Sequence, residues 1–360
     1  MSAAPPPVDA VLLLSFGGPE GPDDVMPFLE NVTRGRGIPR ERLEAVAAQY
    51  AIFGGRSPIN DECRKLLAAL EAELAARGPR LPLYWGNRNW APYLADTVAR
   101  MARDGVKRAV AIATSAYSSY SACRQYLEDV EKARAAVGAG APVIEKIPPY
   151  WNEAGFLETM IANVRASIAA SGAASSAAPG DSPSAASSIP GGPPAPPRLV
   201  FTAHSIPLAM AATCDYEAEL REASSIVAAS AAPGLEWDLA WQSRSGPPSQ
   251  PWLEPDVRDH LRALAGRGVR DVVLVPIGFV ADHMEVLYDL DTDARAVAGS
   301  LGIRVTRVPT VGAAPRFVAG LRDLVAAHIE GRAPRTVGTR GPRPSPCAPG
   351  CCAYAPHRPG

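Results

Sequence analysis

Two separate apolar runs of this sequence are followed by residues that could carry out proton or metal chemistry. His204 ends one run, and Glu285, Asp289 and Asp293 follow another at intervals of four residues. An imidazole can accept or donate a proton near neutral pH, or bind a metal. Carboxylates four residues apart lie along one face of a helix, where they could pass a hydrated divalent cation from one to the next. The alternatives are a histidine packed at a strand end and a solvated acidic helix face.

We refer to Glu285, Asp289 and Asp293 as the acidic row. Two more polar residues, Asp282 and His283, lie just before it. If a helix begins near Asp282, this residue could cap its N-terminus, and His283 could serve as a structural hydrogen-bond partner. Like charges at four-residue spacing repel, so the row costs helix stability. Because the row starts directly after a strand and beside a histidine, we favour a functional site over a solvated face.

The elements that must position these residues are short, continuous apolar runs separated by segments of helical spacing. Such runs are typical of parallel strands buried on both faces, and their alternation with helices predicts an α/β fold. In these folds ligands bind beyond the carboxyl ends of the strands, where His204 and the acidic row lie. The predicted strands are residues 8–16, 81–85, 106–114, 198–204, 239–242, 270–277 and 304–308, and the predicted helices include 61–77, 90–103 and 216–230.

Length and low-complexity segments suggest how the chain is divided. At 360 residues it is long enough for two domains, which we place at 1–149 and 150–330. Residues 171–197 are rich in Ala, Ser, Pro and Gly, so we expect a disordered surface insertion within the second domain. Residues 331–360 form a cysteine-rich C-terminal tail, which a segment rich in Pro, Gly and Arg at 332–346 tethers to the rest of the chain.

Composition limits the classes of function. The formal net charge is −1, which gives no basic field for nucleic acid. No apolar stretch reaches the roughly 20 residues that cross a bilayer, and the N-terminal residues lack the features of a secretory signal. We therefore expect a cytoplasmic protein, a monomer, with no transmembrane segment and no nucleic-acid partner.

Several short motifs, in this order, resemble the ferrochelatase family over residues 9–330. No single motif is diagnostic, but their common order makes the resemblance specific. They are SFGGP at 15–19, GGRSPIN at 54–60, WGNRNWAP at 85–92, SAYSSYS at 115–121, FTAHSIP at 201–207, WQSRSGP at 241–247 and the segment 275–293 that contains the acidic row.

This resemblance implies two Rossmann-like, chelatase-type domains, each a parallel sheet flanked by helices, with a porphyrin cleft between them. His204 matches the active-site histidine of the family, and Glu285 matches its partner carboxylate. Asp289 and Asp293 match the acidic positions behind that glutamate. We expect His204 and Glu285 to act both as proton acceptors and as residues of the metal site.

The resemblance also implies porphyrin contacts. Ser57 and Tyr126 match porphyrin-contacting positions, and we place Tyr117 with them. Phe16 stands where some relatives carry a tyrosine that can ligate the iron of the product, which phenylalanine cannot do. Arg34 is a candidate to pair with a propionate, because a guanidinium fits a carboxylate fork. The alternative for Arg34 is an exposed basic loop.

The cysteines of the tail match those members of the family that carry an iron–sulfur cluster. The resemblance implies a 2Fe–2S cluster held by Cys123, Cys347, Cys351 and Cys352. Zinc on the same thiolates and a tail of idle thiols are the alternatives, and Cys214 is a weaker candidate ligand. Iron insertion involves no change of redox state, so we expect the cluster to fasten the tail to the first domain rather than to take part in catalysis.

The function implied is insertion of Fe²⁺, the substrate metal, into coproporphyrin III. Coproporphyrin is preferred to protoporphyrin IX because the cysteine pattern resembles that of actinobacterial relatives. A chelatase that loads cobalt or nickel into another tetrapyrrole is a competitor, although such relatives are shorter or use a second histidine in place of Glu285. A haem-binding module without turnover is the remaining alternative, but it would not need the acidic row.

Overall fold

The computed structural model describes residues 7–176, 196–247 and 249–354. The first half of the chain forms a four-stranded parallel sheet with the strand order β2-β1-β3-β4. Its strands are β1 (Ala10–Ser15), β2 (Leu83–Asn87), β3 (Arg108–Ala113) and β4 (Val143–Lys146). Helices follow the strands, as the sequence pattern predicts. They are α1 (Pro22–Val32), α2 (Arg40–Ile52), α3 (Ile59–Arg77), α4 (Leu94–Arg103), a π-helical segment (Tyr120–Arg124) and α5 (Gln125–Val137).

The second half repeats this plan, with the strand order β6-β5-β7-β8 and all pairs parallel. Its strands are β5 (Arg198–His204), β6 (Trp237–Gln242), β7 (Asp271–Val275) and β8 (Arg304–Arg307). The helices are α6 (Ala154–Ser176), α7 (Leu208–Ala211), α8 (Tyr216–Ala231), α9 (Val257–Gly266), α10 (Met284–Val286), a π-helical segment (Leu287–Ala294), α11 (Arg295–Ser300) and α12 (Pro315–Glu330). The predicted α/β class with two Rossmann-like sheets is therefore confirmed.

Continuous apolar strands require helices on both faces, and this requirement explains the layering. On β1, Leu13 faces a core that contains α3, while Leu12 faces a second core that contains α4 and α5. On β5, Phe201 faces the core that contains α3, while Val200 faces a third core that contains α9. The core around Leu13 also includes Phe201 and Phe317, so one apolar cluster joins the two halves. Helix α12 completes this junction by packing on α3 and α6.

Three predictions about chain organisation have different outcomes. Residues 171–176, expected to be disordered, continue helix α6, while 177–195 lie outside the described residues. Strand β4 was not predicted, because it is a short strand at the edge of the sheet and lacks a continuous buried apolar run: Val143 is 45 % exposed. The domain boundary at 149/150 stays a prediction. Among the helices that the structure describes, none is long and apolar enough to cross a membrane.

The C-terminal tail lies against the body of the protein rather than extending from it. Its first part pairs with the start of α6, where Thr336 forms a β-bridge with Glu153. Further along, Arg343 donates hydrogen bonds to Glu219 of α8 and to the hydroxyl of Ser118, which precedes the first π-helical segment. Arg343 therefore links the tail to both halves of the molecule.

Candidate active site

The order of the second sheet brings His204 and Glu285 together. The chain runs from β5 outward to β6 and then returns to β7 on the other side of β5, so the order of strands reverses at this point. A crevice forms at the carboxyl ends of the strands where such a reversal occurs. His204 ends β5, and Glu285 lies in α10, which follows β7. Nε2 of His204 lies 3.4 Å from Oε2 of Glu285, and the two side chains are 34 % and 53 % exposed.

The hydrogen bonds of His204 fix which ring nitrogen is free. Nδ1 of His204 contacts the backbone carbonyl oxygen of Ser205. A carbonyl oxygen only accepts, so Nδ1 carries the proton in the neutral imidazole. Nε2 is then left with its lone pair directed towards Glu285, where it can accept a proton or bind a cation. The Tyr216 hydroxyl donates to the carbonyl oxygen of His204 over 3.0 Å and holds the strand end in place.

The helix that carries Glu285 begins one residue later than the sequence suggests. His283, and not Asp282, caps α10, with Nδ1 accepting from the amide of Val286 over 3.4 Å. The prediction for Asp282 is wrong because Arg307 of β8 binds its carboxylate at 2.6 Å. Burial lowers the pKa of His283, which favours the neutral ring that this cap requires.

The acidic row lies on α10 and the π-helical segment that follows it. This segment is wider than an α-helix, and π-helical turns occur often at functional sites. Asp289 lies behind Glu285 and accepts hydrogen bonds from the Ser243 hydroxyl and, over 3.4 Å, from the Gln242 amide. Burial, together with the nearby charge of Glu285, raises the pKa of Asp289 to about 6. The row therefore runs from Glu285 through the half-buried carboxyl of Asp289 to Asp293.

Two residues at the end of β6 belong to this site, although no role was predicted for them. Gln242 and Ser243 both reach Asp289, and the carbonyl oxygen of Gln242 accepts from the amide of Ser205 over 2.8 Å. Ser243 has φ +62°, a conformation that is uncommon outside glycine. The place of Gln242 and Ser243 in the site could have been inferred from strand order, because β6 pairs with β5 and its carboxyl end must therefore lie beside His204.

Apolar residues of the first half cover the start of the acidic row. Met284 is buried in a cluster with residues of α1 and α2, among them Phe28 and Tyr50. Burial and the charge of Glu285 together raise the pKa of Tyr50 well above its usual value, so its hydroxyl stays neutral near that carboxylate. Phe28 makes edge contacts with the rings of Tyr50 at 6.2 Å and Trp90 at 6.1 Å. The site is thus bordered by an aromatic wall from the other half.

The predicted porphyrin-contacting residues have different positions. Phe16 is 38 % exposed and extends the aromatic wall through an edge contact with Phe28. Tyr126 is buried, and the guanidinium of Arg88 lies over its ring at 4.7 Å and over that of Phe16 at 5.9 Å. Arg88 was missed by the sequence analysis. Arg34 is exposed in the loop after α1.

Two further predicted contact residues are enclosed. Ser57 is buried, with its amide bound to the carbonyl oxygen of Pro19. Tyr117 is 1 % exposed and packs between the rings of Phe156 and Tyr216, each at 6.2 Å. The side chain of Tyr117 therefore belongs to the core at the junction of the two halves and does not reach the surface beside His204. The substrate contacts predicted for Tyr117 and Ser57 stay predictions.

The cysteines of the tail gather near Cys123. Burial, reinforced by the neighbouring Cys123 and Cys351, raises the pKa of Cys347 to about 11. Burial also raises the pKa of Cys352, and the neighbouring thiols of Cys351 and Cys123 add to this effect. The sulfur of Cys351 lies 3.6 Å from that of Cys352. The contact between the rings of Tyr120 and Tyr354, at 6.0 Å, joins the same two segments.

Within the ranges that the structure describes, no group of three or more His, Cys, Asp or Glu side chains is arranged so that it could hold a metal ion.

Comparisons with known proteins show which family the sequence resembles. The ferrochelatase family model matches residues 8–329. A ferrochelatase of Rhodopirellula baltica is 48 % identical over 356 residues, which cover 98 % of this chain and 96 % of the relative. A coproporphyrin III ferrochelatase of Mycolicibacterium smegmatis is 49 % identical over 356 residues, covering 96 % and 99 %. The solved structure of SirB from Bacillus subtilis with Fe³⁺ covers 90 % of this chain and 98 % of its own with a TM-score of 0.53; at 11 % identity this likeness concerns the fold alone.

Proposed function

The chain belongs to the ferrochelatase family, and we propose that it inserts Fe²⁺ into coproporphyrin III with release of two protons from the macrocycle. The observation that carries this proposal is the pair formed by Nε2 of His204 and Oε2 of Glu285, 3.4 Å apart and both accessible. The choice of porphyrin is supported by relatives 48 % to 50 % identical over nearly the whole chain that are named coproporphyrin III ferrochelatases.

The first task of the site is to remove protons. A free porphyrin carries two inner N–H groups, and both protons must leave as the metal enters. The lone pair on Nε2 of His204 can accept one of them, because the proton on Nδ1 is held by Ser205. The imidazolium so formed is stabilised by the carboxylate of Glu285, which can share the proton and pass it on to solvent. After this transfer the site returns to its starting state, and Nε2 of His204 can accept the second proton by the same route.

The second task is to strip water from Fe²⁺. The acidic row offers oxygen ligands that can replace water molecules one at a time as the cation moves from Asp293 past Asp289 towards Glu285 and His204. Asp289 is held in place by Ser243 and Gln242, so it presents a fixed oxygen to the passing ion. The half-exposed Glu285 would then hand the ion to the macrocycle.

The choice of porphyrin is tested by anaerobic incubation of the purified protein with Fe²⁺ and one porphyrin at a time. We expect the fluorescence of coproporphyrin III to be quenched as iron enters, and that of protoporphyrin IX to persist. A mixture without protein reports spontaneous insertion. Equal quenching of both porphyrins would defeat the preference for coproporphyrin, and quenching of neither would defeat the proposed activity.

We further propose that Cys123, Cys347, Cys351 and Cys352 hold a 2Fe–2S cluster. The donor set supports this, because Cys123 and Cys351 lie close enough to help raise the pKa of Cys347 and of Cys352. Thiolates are the usual ligands of such clusters. The cluster would supply a cross-link between the tail and the π-helical segment that carries Cys123. No step of the proposed reaction passes through it.

Replacing Cys351 by serine should lower thermal stability and remove the visible absorbance of the purified protein together, because the cross-link and the chromophore would be the same group. Cys63→Ser is the matched control. Cys63 is a buried thiol of α3 that donates to the Ser15 hydroxyl, and serine can keep that bond, so the absorbance should remain. An unchanged spectrum in Cys351→Ser, or zinc in place of iron in the purified protein, would remove the assignment.

A further inference from the structure

Arg258 occupies the outer end of the acidic row. Its Nη1 lies 3.1 Å from Oδ2 of Asp293, and the two side chains are 46 % and 36 % exposed. Asp289, by contrast, is paired with the neutral side chains of Ser243 and Gln242. A cation that reaches the row from solvent at this end therefore meets an aspartate whose charge is already neutralised by an arginine.

The position of Arg258 is fixed by a second aspartate that does not belong to the row. Asp256 accepts from Nε of Arg258 over 2.8 Å and from Nη2 over 3.1 Å. The same carboxylate caps helix α9 by accepting from the backbone amide of Arg258 over 2.9 Å. These bonds leave Nη1 directed at Asp293, and the three nearby carboxylates, with Asp256 first, raise the pKa of Arg258. The guanidinium can leave Asp293 without losing its other bonds.

We propose that Arg258 is an internal counter-ion that an incoming divalent cation must displace from Asp293, and that it thereby sets the affinity of the row for Fe²⁺. This inference rests on the proposed role of the row in delivering iron. Arg258 does not contact His204 or Glu285 in the structure, so it would act on metal entry and leave the proton transfer unchanged. It is a positioning residue, and its effect should fall on the KM for iron rather than on kcat.

The test is Arg258→Gln, which removes the charge but keeps a side chain that can bond to Asp256. We expect the KM for Fe²⁺ to fall by about two- to five-fold, the range that the loss of one exposed ion pair allows, with kcat unchanged. Mn²⁺ binding to the resting enzyme, followed by the electron paramagnetic resonance signal of the free ion, should tighten by a similar factor. An unchanged or raised KM for iron, or a fall in kcat of comparable size, would overturn the proposal.

Two further variants isolate the contact. Arg262→Gln removes an arginine one turn along α9 that pairs with Asp259 at 2.7 Å and not with the row, and it should change neither constant. In an Asp293→Asn background, Arg258→Gln should have a much smaller effect on Mn²⁺ affinity, because the ion pair is gone and only the more distant charge of Asp289 still senses Arg258. An equal effect in both backgrounds would contradict the displacement. If the wild-type protein inserts no iron, the proposed function fails, yet the Mn²⁺ titrations still decide the role of Arg258.

Discussion

Replacing His204 by alanine is expected to slow iron insertion by about 10²- to 10⁴-fold while coproporphyrin III still binds. The variant removes the lone pair of Nε2, which is the base nearest to Glu285, and leaves the carboxylate without its partner. The macrocycle would still meet the aromatic wall, to which His204 does not belong. The measurements are the rate of fluorescence quenching with Fe²⁺ and, separately, the dissociation constant of the porphyrin without metal.

A matched control is His328→Ala. His328 lies near the end of α12 and pairs with Glu145 at 2.7 Å, as His204 pairs with Glu285, but it lies away from the acidic row. Arg108 continues to neutralise Glu145 at 2.9 Å, so this variant should fold and insert iron at the wild-type rate. Retained turnover in His204→Ala would refute the role of that imidazole, whereas joint loss of turnover and porphyrin binding would point to a damaged fold.

The meeting of His204 and Glu285 could be predicted because it follows from strand order. Both residues follow apolar runs, and continuous apolar runs form parallel strands whose carboxyl ends share one edge of the sheet. Strand β5 has the predicted bounds, Arg198–His204, and β7 pairs directly with it. A sheet that is buried on both faces therefore allows few other positions for these two side chains.

The contacts that tune the site could not be predicted, because each joins residues far apart in the chain. Ser243 binds Asp289 across 46 positions, and Arg258 binds Asp293 across 35. No local sequence pattern predicts such pairs, since arginines and serines are common on exposed helices and loops. The N-cap of α10 could not be predicted for the same reason. Arg307 binds Asp282, and His283 caps the helix instead. Sequence periodicity thus gave the line of carboxylates but not their partners.

The tail shows a further contact that composition does not indicate. Its proline- and glycine-rich start was predicted only to tether the cysteines, yet Arg343 makes an ion pair with a buried carboxylate at the junction of the two halves. Nε of Arg343 lies 2.8 Å from Oε1 of Glu219, a carboxylate that is 1 % exposed. The other oxygen of Glu219 accepts from the amide of Ser118 over 2.7 Å, and Arg343 also binds Asp215. One arginine therefore neutralises a carboxylate that the fold has removed from water.

Replacing Arg343 by methionine should lower the free energy of unfolding by about 3 kcal/mol, because it leaves the charge of Glu219 buried without a partner. The measurement is urea-induced unfolding. Arg340→Met is the control, since Arg340 pairs with Glu222 at 3.1 Å but is 44 % exposed, and its loss should cost less than about 1 kcal/mol. Adding Glu219→Gln to Arg343→Met should recover much of the loss, because the amide carbonyl can still accept from Ser118. Equal effects of Arg343→Met and Arg340→Met would contradict this account.

The pH dependence of the Arg343→Met variant follows from the same burial. Burial raises the pKa of Glu219 even with Arg343 beside it, so the folded state takes up a proton more readily than the unfolded chain does. Without Arg343 this difference grows, and folded stability falls as pH rises through the raised pKa. The loss of unfolding free energy caused by Arg343→Met should therefore be larger at about pH 8 than at about pH 5.5. Tyr117, Tyr216 and Cys214, which also face Glu219, do not titrate in this range, because burial raises the pKa of each of them. A deficit that is independent of pH would mean that lost packing, and not an uncompensated charge, causes the instability.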